Sequence, residues 1–167
     1  SLMNISISKN YLLKFLESWQ STMRKFHLLL PLLWMAVIFM LSQQPASVSS
    51  GQSGVFVEQL HYIAPSIDQQ LLTFLVRKGA HIFAYFVLGI LMFNALWRVD
   101  LSKFRFNRPA MLSIIICALY AASDEFHQLF IIGRSGELRD IMIDSCAAMV
   151  GVFIISIFVR ILQKGKK

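Results

Sequence analysis

Charge is scarce in this 167-residue chain: Asp, Glu, Lys and Arg make up 15% of it, against about 25% in an average soluble domain. Cysteine is almost missing. The two present, Cys117 and Cys146, lie inside apolar runs, which excludes a disulfide framework or a thiolate metal cluster and reads as buried free thiols. There is no phosphate-binding glycine loop, no G-x-S-x-G and no H-E-x-x-H, so none of the common nucleotide, serine-hydrolase or zinc-protease signatures applies. What is abundant is apolar sequence, 56% from the set AVILMFWYC. A core of this size cannot hide that much apolar surface from water, so a soluble globule and a disordered chain are both excluded. The length leaves no room for a membrane anchor plus a separate catalytic module, and any chemistry must sit among the spans.

Four apolar stretches stand out: Phe26 to Leu41, Gly79 to Leu96, Met111 to Ile132 and Ile141 to Leu162. A spanning helix needs about 20 residues. The last two qualify, the second does if it begins near Leu71, and the first is the shortest. A cleavable signal sequence is disfavoured for the first, because the basic pair Arg24 and Lys25 that would open it lies well inside the chain. Upstream, Leu12, Phe15, Leu16, Trp19 and Met23 recur at helical spacing, with Lys14, Glu17, Ser18 and Ser21 around the rest of the wheel, the pattern of a helix lying on a membrane. The segment from Ser42 to Gln70 is Ser/Gly-rich before Val55, Phe56, Leu60 and Ile63, and predicts a short interfacial helix within a long loop.

The basic residues fix an orientation. Twelve of the 16 fall on one side: Lys9, Lys14, Arg24 and Lys25; Arg98, Lys103, Arg105 and Arg108; Arg160, Lys164, Lys166 and Lys167. Arg77, Lys78, Arg134 and Arg139 fall on the other. Cytoplasmic loops are enriched in Lys and Arg, so both termini are expected inside, and the net charge of +7 reflects topology rather than nucleic-acid binding. The expected fold is an all-α membrane protein with four transmembrane helices, both termini cytoplasmic and an N-terminal interfacial amphipathic helix. Residues 1–25 form the interfacial segment, 26–162 the membrane domain and 163–167 a basic tail.

Seven of the nine acids lie on the outer side: Glu58, Asp68, Asp124, Glu125, Glu137, Asp140 and Asp144. An ionisable side chain within a span costs about 2.5 to 3.5 kcal/mol at the bilayer centre, so such groups pair, face the protein interior or perform chemistry. Lys78, His81 and Tyr85 share one face of the second span. Tyr120, Asp124, His127 and Gln128 share a face of the third, with Glu125 at its border, and Asp140 and Asp144 lie one turn apart on the fourth. All three faces belong to the outer halves of their helices, which predicts one outward-facing polar pocket. An ion pair of Lys78 with Asp124 or Asp140 is the structural alternative for part of this set. Ala118 with Ala122, Ala147 with Gly151, and Gly89 are small residues suited to close helix packing, and Gly133 and Gly136 allow a reversal that places Arg134 at the pocket mouth. Asp124 and His127 with Asp140, Asp144 or His81 would make an oxygen- and nitrogen-rich site suited to a divalent metal, Zn²⁺ or Mn²⁺. His27 and His61 carry no such pattern.

The segment KGAHIFAYFVLG, followed by SDEFHQLFIIGRSGELRDIMIDSCAAMVG, resembles the VanZ-like family of bacterial membrane proteins, and FMLSQQP is similar to that family's signature at the end of its first span. Two departures are visible: Ile132 stands where the family usually has proline, and Asp144 where asparagine is frequent. The resemblance implies Lys78, His81, Tyr85, Asp124, Glu125, His127, Gln128, Gly133, Arg134, Asp140 and Asp144 as motif residues. It also implies a role in the cell envelope, since the family's named member is associated with resistance to the glycopeptide teicoplanin.

Two functions are compatible with these residues, and enzymatic status stays open between them. In a binding module at the bacterial plasma membrane, Lys78, Tyr85, Gln128, Arg134 and Asp144 would hold an anionic or amphiphilic ligand: a membrane lipid, a lipid-linked envelope precursor, or a glycopeptide or lipoglycopeptide. In a hydrolase or transferase acting on a lipid-linked head group, His127 oriented by Asp124 would be the acid or base, Glu125 or Asp140 the second carboxylate or a metal ligand, and His81 a further catalytic group. A proton-coupled transporter is the weakest reading, because span four has no ionisable residue between Asp144 and Arg160.

Overall fold

A computed structural model of the protein describes residues 27–63, 65–98 and 108–164. The amphipathic segment Leu12 to Met23, the bases Lys103 and Arg105, and Lys166 and Lys167 lie outside the described residues. Five helices are present among the described residues: α1 His27–Ser42, α2 Ala46–Ile63, α3 Gln69–Trp97, α4 Pro109–Gln128 and α5 Leu138–Lys164.

Three of the four expected spans, α3, α4 and α5, are long and apolar enough to cross a membrane. At 1.5 Å per residue they measure about 43, 30 and 40 Å, against a hydrocarbon core of about 30 Å. The described part of α1 is apolar but covers only about 24 Å. Leu33, Phe83, Leu119, Phe153 and Phe158 are all exposed, a surface that suits lipid and not water.

Local chemistry sets the helix ends. Asp68 caps α3, its carboxylate accepting from the backbone N–H groups of Gln70 and Leu71 at 2.9 and 3.1 Å. Pro109 opens α4, where its missing N–H costs no hydrogen bond. The third apolar run, read to Ile132, stops as a helix at Gln128. Residues 129–137 then reverse the chain through Gly133, whose positive φ of 75° favours glycine. This brings Asp124 to about 6 Å from the end of its helix instead of the 12 Å that a helix reaching Ile132 would give.

Two further expectations are corrected. The segment after Ser42 holds an 18-residue helix, not a short one in a long loop. The helix packs against α3 and buries Val57 completely, tertiary contact that offsets the poor helix propensity of Ser and Gly. Cys117 is buried as expected, but Cys146 is exposed on α5, because residues 144, 147, 148 and 151 occupy the protein-facing side of that helix.

Helices α3, α4 and α5 pack on one another around Tyr85, Leu88, Met92, Cys117, Ala121 and Ala148. The α3–α5 crossing is closest: a Cβ added at Gly89 would strike the Ala148 carbonyl, and one at Gly151 the Phe86 carbonyl. Helix α1 closes the bundle through Ile38, with Trp34 Nε1 donating to the Ala84 carbonyl at 2.8 Å and the Tyr120 hydroxyl donating to the Met35 carbonyl at 2.6 Å. The end of α1, the start of α3, the end of α4 and the start of α5 all meet at one end of the bundle, and that end carries the buried polar residues.

Candidate functional site

Asp124 is buried, at 2% exposure, in the middle of the polar network. Its Oδ2 accepts from Ser42 Oγ at 2.9 Å, Tyr85 Oη at 3.2 Å and Gln128 Nε2 at 3.4 Å, so one carboxylate joins α1, α3 and α4. Gln128 is the link outward. Its amide also donates to Glu125 Oε1 at 3.3 Å, and its carbonyl accepts from an Arg134 nitrogen at 3.4 Å. The other oxygen of Glu125 accepts the backbone N–H of Glu137 at 3.1 Å, which the α4–α5 turn brings over the end of α4. Gly136 allows that approach, since a Cβ there would strike the Glu125 carbonyl oxygen.

Around the outer side of this network lies a cavity of about 160 Å³, lined by residues of α3, α4, α5 and the turn between the last two. Lys78 on α3 pairs with Asp140 on α5, and one turn deeper His81 Nδ1 lies 3.4 Å from Asp144 Oδ2. This is the i, i+3 pattern of one helix meeting the i, i+4 pattern of another. The Lys78 ammonium also sits 5.6 Å from the centre of the Phe74 ring. Glu125, Asp140 and Asp144 are all buried.

Arg134 is a clasp as much as a mouth residue. Its Nε donates to the Gln44 carbonyl at 2.9 Å and a terminal nitrogen to the Leu41 carbonyl at 3.2 Å, fixing the end of α1 to the α4–α5 turn. Burial holds its guanidinium below the ordinary arginine range, with the nearby charge of Arg77 adding to the effect and Asp124 and Glu125 opposing it. Replacing Arg134 by alanine is expected to cost about 2 kcal/mol, because hydrogen bonds from charged donors are the stronger kind. Arg134→Lys should recover less than half of that, since an ammonium lacks the fork needed to reach both carbonyls. Equilibrium unfolding in detergent measures both; a lysine variant as stable as the parent would show that the forked geometry contributes nothing.

A family model described as VanZ/LLP1 matches residues 26–159. The chain belongs to the VanZ/LLP1 family. No curated protein and no solved structure matches it. With three apolar helices long enough to span, this VanZ/LLP1 chain is a membrane protein.

The structure brings Lys78, His81, Glu125, Gln128, Gly133, Arg134, Asp140 and Asp144 around the cavity of this VanZ/LLP1 protein. It places Tyr85 and Asp124 behind that wall, where they bond each other. His127 goes elsewhere. Its ring lies against Phe39 of α1, centroids 4.7 Å apart, and its buried Nε2 has no hydrogen-bond partner among the described residues. The expected pairing of His127 with Asp124 is therefore corrected: no hydrogen bond joins the two among the described residues, because the imidazole packs against Phe39 of α1 instead. Ser42, Arg77 and Glu137 are members of the site that motif reasoning did not assign to it. Ser42 stands in the FMLSQQP segment and Arg77 beside Lys78, so both were visible as polar residues at the same end of the bundle, whereas the part played by Glu137 is through its backbone.

Proposed function

We propose that this VanZ/LLP1 chain is a multi-pass protein of the bacterial plasma membrane, both termini cytoplasmic, whose cavity opens outward and binds the anionic head group of an envelope amphiphile. A lipid-linked cell-wall precursor is the ligand class favoured here, with a contribution to teicoplanin-type resistance through the handling of such precursors. The carrying observation is the cavity itself: Arg77, Lys78 and Arg134 converge on it from α3 and the α4–α5 turn, at the end of the bundle that the distribution of Lys and Arg assigns to the exterior.

Size separates the candidate ligands. Sites that enclose a drug-sized molecule run from about 300 to 1,000 Å³, and this cavity is about 160 Å³. A phosphate or carboxylate head group fits; a whole glycopeptide does not. The chains of an amphiphile would lie outside, along Leu71, Phe74 and Leu75, which are exposed on α3. Binding is favoured over acid–base catalysis by His127 and Asp124, since neither residue lines the cavity.

The test is a binding titration of a polyprenyl-phosphate-linked precursor against the protein in nanodiscs, with neutral lipid as reference. Arg77→Gln is expected to weaken binding about 10-fold or more, the loss of one charge-assisted contact. Equal affinity for precursor and neutral lipid would remove the reading.

A further inference from the structure

Within the same cavity the residues nearest its floor are not anion receptors. One ring nitrogen of His81, one oxygen of Glu125 and one of Asp144 all lie within 4.8 Å of one another, contributed by three different helices. Both carboxylates are almost fully buried, at 3% and 2% exposure. From these residues we infer that the cavity floor is a binding site for a divalent first-row cation of the Mn²⁺ or Zn²⁺ type, with His81, Glu125 and Asp144 as its ligands.

Four features support the assignment. The first is composition: one imidazole and two carboxylates suit Zn²⁺ or Mn²⁺, whereas Ca²⁺ and Mg²⁺ take oxygen alone. The second is reach. Ligand atoms about 2.1 Å from a common tetrahedral ion stand about 3.4 Å apart, so a trio whose atoms all lie within 4.8 Å closes on such an ion by side-chain shifts on the order of 1 Å. The third is orientation. Glu125 is held by the Gln128 amide and the Glu137 backbone N–H, the outer hydrogen bonds that keep a ligating carboxylate in place.

The fourth is independent of the trio. Asp140 lines the cavity one turn before Asp144 on α5, is 8% exposed, and gives one oxygen to Lys78; its Oδ1 is buried with no hydrogen-bond partner among the described residues. A buried carboxylate oxygen without a donor is costly, and the bound water of a cation on the cavity floor supplies the donor that oxygen lacks. The cation site shares the cavity proposed for the head group but does not rest on that reading.

The test uses the full chain in detergent, stripped by chelator and titrated with Mn²⁺ or Zn²⁺ alone, no amphiphile being present. About one cation per chain is expected to bind, raising the thermal midpoint. Glu125→Gln, Asp144→Asn and His81→Gln should each lower affinity at least about 10-fold. The exposed acid Glu58, changed to Gln, serves as reference and should leave affinity unchanged. The electron paramagnetic resonance spectrum of bound Mn²⁺ should show coupling to an imidazole nitrogen that His81→Gln abolishes. Wild-type protein that binds no cation, or a spectrum without that coupling, overturns the inference, and so does affinity unchanged in the three ligand variants. Because wild-type binding and its nitrogen coupling are read without any substitution, a variant that misfolds does not remove the test. A negative result here leaves the precursor titration free to succeed on its own.

Discussion

Gly151→Leu is expected to lower stability by about 3 kcal/mol, at the upper end of the overpacking range, and to reduce the thermal midpoint by roughly 6 to 12 °C. At this position even a methyl group would meet backbone: the Phe86 carbonyl lies where the Cβ would go, and the Ile90 nitrogen is 3.3 Å from it. Backbone cannot rotate aside as a flexible side chain can, so α3 and α5 must separate. Gly89 makes the reciprocal approach to Ala148, and a change at either glycine loosens the same crossing. The effect should reach the site, because that crossing aligns Lys78 with Asp140 and His81 with Asp144. Gly79→Ala provides the contrast. It lies within α3 with nothing within 4 Å of an added Cβ, and alanine there should be neutral or stabilising by up to about 1 kcal/mol. Thermal or denaturant unfolding in detergent compares the three proteins, and a Gly151→Leu midpoint equal to the parent's would show that the two helices do not meet at these glycines.

Asp124→Ala should be comparably damaging, about 2 to 4 kcal/mol, for a different reason. Interhelical hydrogen bonds in membrane proteins average about 0.6 kcal/mol and reach about 1.7, and Asp124 accepts two of them at once, with a third bond from Gln128 on its own helix. Its removal leaves the hydroxyls of Ser42 and Tyr85 buried among apolar neighbours with their acceptor gone. Asp124→Asn retains an acceptor oxygen of similar shape and should lose about 1 kcal/mol. The diagnostic measurement is the cycle of Asp124→Ala with Tyr85→Phe. The two changes remove the same contact, so the double variant should be more stable than the sum of the single losses by at least about 0.5 kcal/mol. Strict additivity would mean that the Tyr85–Asp124 bond contributes nothing to the fold.

Both predictions concern residues whose importance was only partly visible in the sequence. Gly89 and Gly151 announced close packing as small residues, but not which carbonyl would fill the space each leaves. Asp124 was conspicuous as an acid in apolar sequence, yet its bond to Ser42 crosses 82 residues and cannot be found from helical spacing. The Lys78–Asp140 and His81–Asp144 pairs illustrate the boundary. Periodicity places each side chain on a helix face, and only the crossing of α3 and α5 makes the two faces meet in register.

His127 and the stretch after Ser42 mark where local reading ends. A residue at the edge of a polar face can turn either way, and α1, packed against α4 through Phe39, decides the matter for His127. A Ser/Gly-rich segment has little helical tendency alone, and α2 gains what local sequence lacks from its contact with α3, where Val57 is buried.

By itself the sequence determined the membrane class, the helical periodicity, the end of the molecule to which the acids belong and the family, because hydrophobic length and the spacing of polar groups are local properties of the chain. Only the tertiary structure decided that Asp124 joins three helices, that Arg134 clasps the end of α1, and that His81, Glu125 and Asp144 come within ligand distance of one another. Those arrangements depend on how closely and at what angle separate helices cross. Glycine-to-carbonyl contacts between helices distant in the chain set that closeness, and no local pattern encodes it.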